Sequence, residues 1–190
     1  MSRALYFFRN IRTKQVLACP SPSVMSAVSY INTQITNPAL RPTVIRPDHW
    51  TPLVVVSGFE SEQAHADAFT LAAQPGHPLT PPTADEKRQH ALLTRPNKRL
   101  AEMDMVERQV AQLARALVYM DAVGSRAVPS SAQEEKGSSQ QKIKLFWEDD
   151  QWIGKVQDAG LSWPKWVEHD KLELKRGNVI TNKELRHSAQ

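Results

Sequence analysis

The residues of this chain best suited to chemistry are cations. Arg9, Arg12 and Lys14 fall in one short stretch, Leu5 to Leu17 (LYFFRNIRTKQVL), and Arg41 and Arg46 follow in a segment punctuated by Pro38, Pro42 and Pro47. No acidic residue precedes Asp48. Guanidinium and ammonium groups held away from carboxylates suit a polyanion, and phosphate backbone is the commonest one. Lys98 and Arg99 form a second basic pair further along. Trp50 closes the proline-rich segment beside Arg46 and His49, where an indole could stack on an unpaired base. The expected phosphate contacts are therefore Arg9, Arg12, Lys14, Arg41, Arg46, Lys98 and Arg99, with Trp50 as the stacking contact.

Other chemistries find no foothold. The seven glycines are scattered, and no glycine-rich loop precedes a Lys-Ser/Thr pair as nucleotide binding would require. The six histidines, at 49, 65, 77, 90, 169 and 187, form no metal-ligand pair. Asp149 and Asp150 are too few carboxylates for an oxygen-ligand loop and read as a solvated turn. A single cysteine, Cys19, excludes an internal disulfide and a multi-cysteine zinc site and fits a reducing compartment. The expectation is a protein that is not an enzyme, with no cofactor and no metal. No apolar run approaches the roughly 20 residues of a membrane span.

Charge distribution says more than the net charge of +4. Residues 1–50 carry six cations and one anion, and residues 51–84 carry three anions and no cation. Residues 85–126 carry eight cations and six anions, and residues 127–190 carry ten of each. The acid-free start resembles an import signal in composition, but transit peptides are amphipathic helices and this segment reads as strand. Targeting information is expected within the folded protein.

The elements that must position the cations can be read in turn. Residues 4–9 and 15–19 are rich in β-formers and predict a hairpin with Arg12 and Lys14 at its tip. Val24, Val28, Ile31 and Ile35 share one helical face, predicting a helix from Ser23 to about Asn37. Residues 50–57, with Leu53 to Val56 apolar on both faces, predict a central strand, and 60–73 a helix. Residues 74–83 hold four prolines and predict a linker or strap. Leu100, Met103, Val106, Val110, Leu113, Leu117 and Met120 recur at three- and four-residue intervals, predicting one long helix over 97–123 with a buried seam. Asn97 would cap it and Gly124 stop it. If that seam were instead exposed, it would serve as a docking surface for a protein partner. Residues 125–141 are polar and of low complexity and predict a flexible connection. Residues 142–147 alternate as a strand. Trp147, Trp152, Trp163 and Trp166 follow among apolar neighbours, which favours core over base stacking.

The fold expected is α+β. A small, mainly antiparallel sheet contains the N-terminal hairpin and is covered by helices including the long one. The expected organisation is a basic core over 1–124, a flexible segment over 125–141, a Trp-rich segment packing on the core over 142–177, and a loose tail over 178–190.

Three blocks in one order add a resemblance. Leu5-Tyr6-Phe7-Phe8-Arg9-Asn10 with Gln15-Val16-Leu17 is the first. Arg41 and Arg46 leading to Asp48-His49-Trp50 is the second, and Phe146-Trp147-Glu148-Asp149 the third. Together they resemble the fungal mitochondrial family described as a regulator of mitochondrial recombination and transcription, whose members are also constituents of the mitochondrial large ribosomal subunit. In the family pattern a second basic residue can precede the Asp; here Pro47 stands there. The resemblance implies a structural protein of the mitochondrial matrix, with large-subunit ribosomal RNA and neighbouring ribosomal proteins as partners. The alternative it implies is a DNA-pairing or transcription-regulating protein that hydrolyses no nucleotide, with DNA as partner and the nucleus as a second location.

Overall fold

Tyr6, Phe7 and Phe8 are apolar on both sides of their strand, and a strand of that kind must be covered on both faces. In the computed structural model, which describes residues 3–76, 81–123, 142–176 and 178–186, it is. Strand β1 (Arg3–Asn10) lies between β2 (Val16–Cys19) and β3 (Trp50–Phe59), antiparallel to both. Strand β4 (Ile143–Trp147) adds antiparallel to β3, and β5 (Val167–Lys171) adds parallel to β4. The order is β2-β1-β3-β4-β5. The architecture is α+β, with a mainly antiparallel sheet opened by the N-terminal hairpin.

Pro52 sits inside β3, where it can donate no ladder hydrogen bond. The register against β1 slips there: Phe7 pairs with Val54, but Phe8 pairs with Pro52. The slip turns Leu53 and Val54 to the same core. Gly58 closes the strand with φ +96°, and a Cβ there would stand 2.6 Å from the Lys142 carbonyl oxygen. Only glycine fits so close an approach.

One face of the sheet carries Leu5, Phe7, Val54, Val56, Leu145 and Trp147 and is covered by α2 (Glu62–Ala72), α5 (Val106–Val123) and α6 (Gln151–Asp158). Helix α2 presents Ala64, Ala68 and Ala72, small residues at four-residue spacing that let α5 approach closely. Two glutamines of α5 satisfy carbonyls at the end of α2. Gln109 donates to Ala72 and Gln112 to Leu71, the latter at 2.9 Å. The Ser61 hydroxyl caps the other end of α2 by accepting from Ala64 N–H at 3.0 Å.

The opposite face carries Tyr6, Phe8, Leu17, Cys19, Val55 and Phe146. It is covered by a 3-10 turn, Val24–Tyr30, running into the short α1 (Ile31–Gln34). The continuous α-helix expected over 23–37 is not formed. Val24 and Ala27 are the buried pair, at the three-residue period of a 3-10 helix, and Val28 of the expected α face is exposed. From this helix the Gln34 side chain reaches the outer edge of β2. Its carbonyl accepts from Ala18 N–H and its amide donates to Ala18 C=O, both at 2.7 Å.

The helical path over 95–123 is present with a break. Helix α4 (Arg95–Met103) ends before Asp104, and α5 begins at Val106. The Asp104 carboxylate accepts from Val106 N–H at 3.2 Å, and Met105 N–H leaves the helical ladder to donate to Lys14 C=O at 3.0 Å. The seam is buried from Val106 to Met120, whereas Leu100 is exposed and Met103 half-buried. The helix begins at Arg95 rather than after Asn97, with Pro96 in its first turn. Helix α3 (Ala84–Leu92) precedes it, started by a capping box between Thr83 and Glu86. Neither α3 nor α4 has a buried residue.

Strands β6 (Leu174–Lys175) and β7 (Val179–Ile180) pair, α7 (Lys183–Arg186) follows, and Leu185 is buried in the second core. Lys144 and Glu184 form an ion pair at 2.9 Å that ties α7 to β4. The expectations for 125–141, for the stop at Gly124 and for residues 77–80 of the proline strap lie outside the described residues. No described helix is long and apolar enough to cross a membrane.

Candidate nucleic-acid interface

The turn Asn10–Lys14 contains no glycine, so side chains must shape it. The Asn10 carboxamide oxygen accepts from Arg12 N–H at 2.9 Å and Thr13 N–H at 3.0 Å. Lys14 takes the left-handed conformation with φ 56°. Asn10 N–H donates to Gln15 C=O at 2.8 Å and Lys14 N–H to Asn10 C=O at 2.9 Å, closing the hairpin.

Three further segments are bonded to this tip. Ile11 N–H donates to His49 C=O at 2.9 Å, joining the 46–49 loop. The buried Gln15 side chain donates to Leu40 C=O at 2.7 Å, joining the 37–41 loop. Lys14 C=O accepts from Met105 N–H, and the Lys14 ammonium lies 3.4 Å from Asp104, joining the α4–α5 break. Arg99 completes the ring by donating from Nη2 to Ala39 C=O at 2.8 Å. An open groove of about 860 Å³ runs between α4 and the 37–40 loop, lined by Arg95, Lys98, Arg99, Leu40, Leu100 and Met103 among others.

The structure sorts the expected contacts into three groups. Arg12, Lys14, Arg46, Lys98 and Arg99 are brought to this end of the molecule. Of these, Arg12 and Lys98 have no ion-pair partner among the described residues, while Lys14 faces Asp104 and Arg46 faces Asp48 at 3.4 Å. Arg9 is committed inward. It holds Glu148 through two hydrogen bonds, at 2.9 and 3.0 Å. Arg41 is also structural, donating to the carbonyls of Ile35, Asn32 and Thr36 at 2.8, 3.4 and 3.3 Å. Trp50 is 2 % exposed and packs in the second core, so its ring is not presented to a base. It opens strand β3, whose inward face claims it despite the basic residues around it in sequence.

The other tryptophans are core or line it. Trp147 is fully buried, and its indole N–H donates to His169 Nδ1 at 3.0 Å. Trp163 packs edge-on against both rings. Burial pushes the His169 imidazole below its ordinary value. Cys19 is buried too, which raises its thiol and leaves no reactive thiolate.

Two residues of this end were not singled out from sequence. Arg95 lines the groove as the first residue of α4; Pro96 just inside a helix start, after Thr94, was the available signal. Ile11 stands exposed at the hairpin apex, a placement visible only once the turn was defined.

Among curated proteins none matches the chain. A family model does. The family described as Mhr1, transcriptional regulation of mitochondrial recombination, matches residues 2–71, from β1 into the last turn of α2, and it is the family that the three sequence blocks resemble.

Proposed function

We propose that this protein is a DNA-binding regulator of mitochondrial recombination or transcription that acts by docking and catalyses no reaction. The carrying observation is the convergence at the hairpin tip. Four segments distant in sequence are hydrogen-bonded together and place Arg12, Arg95 and Lys98 at one end of the sheet. Contacts of this kind go to phosphates and position a protein without reading sequence. The matched family's description supports DNA, since recombination is a reaction of DNA, and supports a mitochondrial setting. We place the protein in the matrix. The ribosomal role implied by resemblance has no support from that match, and nothing at the tip distinguishes ribosomal RNA, so DNA is the leading partner.

The test is binding of the full chain to a labelled DNA duplex and to an RNA hairpin across a salt series. Three phosphate contacts predict a log–log salt slope of about −2.7 for the duplex. The double variant Arg12→Glu, Lys98→Glu should lose most of that affinity. Equal DNA binding by the double variant, together with salt-resistant sedimentation of the endogenous protein with large ribosomal subunits, would overturn the proposal in favour of the ribosomal role.

A further inference from the structure

The hairpin apex carries an apolar side chain where a purely electrostatic contact needs none. Ile11 is 55 % exposed. Isolated exposed aliphatics are ordinary on protein surfaces, but Ile11 combines three properties. It sits in the Asn10–Lys14 turn that joins β1 to β2. It is followed by exposed Arg12 and is bonded through its own N–H to the loop that carries Arg46. The turn is also braced by hydrogen bonds: the Asn10 side chain bonds it from within, and His49, Leu40 and Met105 bond it from outside.

We propose that Ile11 is a wedge that enters between two base pairs of duplex DNA from the minor groove, partly unstacking one step and bending the duplex. This rests on the DNA-binding reading above and goes beyond it by assigning the apex a mechanical role. Apolar side chains inserted at base steps among Arg and Lys contacts act in this way. Arg12 holds a flanking phosphate and contributes affinity. A turn already locked in its bound shape loses little freedom on insertion, so more of the phosphate-binding energy remains to offset unstacking. The steps that open most easily are pyrimidine–purine steps, so TA and CA steps are the preferred entry points despite the absence of base-edge contacts.

The experiment uses the purified full chain and a DNA duplex with 2-aminopurine beside a single central TA step and a dye pair at its ends. Wild type should raise 2-aminopurine fluorescence and shorten the end-to-end distance at saturation. Ile11→Ala, a change at an exposed position, should keep affinity within about threefold yet lose both signals, and Ile11→Leu should retain them. Arg12→Ala should weaken affinity while leaving the signals at saturation. Unchanged signals in Ile11→Ala, or binding by wild type without either signal, overturn the wedge and leave the DNA-binding reading standing. Failure of wild type to bind the duplex at all overturns both.

Discussion

The Arg9 guanidinium grips the Glu148 carboxylate across the sheet, Nε to Oε2 at 2.9 Å and Nη2 to Oε1 at 3.0 Å. The two side chains are 34 % and 24 % exposed, and the pair fastens the end of β1 to the residue that follows β4. Paired planar hydrogen bonds of this kind hold geometry as well as charge. Arg9→Ala should therefore lower unfolding stability by about 1–2 kcal/mol, read by urea denaturation. DNA affinity should fall less than in Arg12→Ala. A larger affinity loss in Arg9→Ala than in Arg12→Ala, measured on folded protein, would contradict the division of these two arginines into structural and binding roles.

Gln34 acts as a surrogate strand. It pairs both backbone groups of Ala18 at 2.7 Å and so closes the outer edge of β2. Open edges invite pairing with other chains. Gln34→Ala should cost about 2 kcal/mol by leaving a buried donor and acceptor unmet. It should also raise concentration-dependent association, seen by light scattering. A variant as stable and as monodisperse as wild type would show the edge needs no such cover.

Gly58 joins β3 to the start of β4 where no side chain fits. Gly58→Ala combines a strained φ with a Cβ 2.6 Å from the Lys142 oxygen. The expected loss is about 2 kcal/mol or more, and it should appear as faster unfolding or a lower denaturant midpoint.

His169 makes stability depend on pH. Its Nδ1 accepts the Trp147 indole proton at 3.0 Å, so the ring is held neutral with its other nitrogen protonated, and burial lowers its folded pKa. The unfolded imidazole titrates near 6.5. The stabilisation is thus fully present above about pH 6.5 and is lost as pH falls through the lowered folded value, because the unfolded chain binds the proton first. Denaturation midpoints should drop between pH 7.5 and 5.5. In His169→Phe the drop should be smaller, and an identical pH profile in that variant would rule this residue out as its source.

Where the apolar pattern was strong, the elements could be read directly. The hairpin, the Trp50–Phe59 strand and the Glu62–Ala72 helix follow from β-branched and aromatic runs or from alanines at four-residue spacing. The Val24–Tyr30 turn was misread because its apolar residues fit periods of both three and four, and only packing on the sheet selected three. Strand β5 was invisible: Val-Glu-His-Asp-Lys has one buried residue and lies at an edge, so its sequence carries no alternation. The division among the arginines was equally hidden. Glu148 lies far from Arg9 in sequence, and the carbonyls that hold Arg41 leave no trace in residue types. Asp104 was visible as an acid, but not as the residue that breaks the helix and faces Lys14.

The sheet order also sets the stretch that matches the family model apart from what folds as one. Residues 2–71 supply β1, β2 and β3, yet among the described residues the β3 edge from Val54 to Ser57 is paired by β4, from Trp147 back to Lys144. During synthesis, at about 5–20 residues per second, that apolar edge stays bare for seconds until the chain reaches Trp147. A nascent protein in that interval is a sheet waiting for its fourth strand. Its exposure to mispairing is set by chain order and not by the stability of the finished fold.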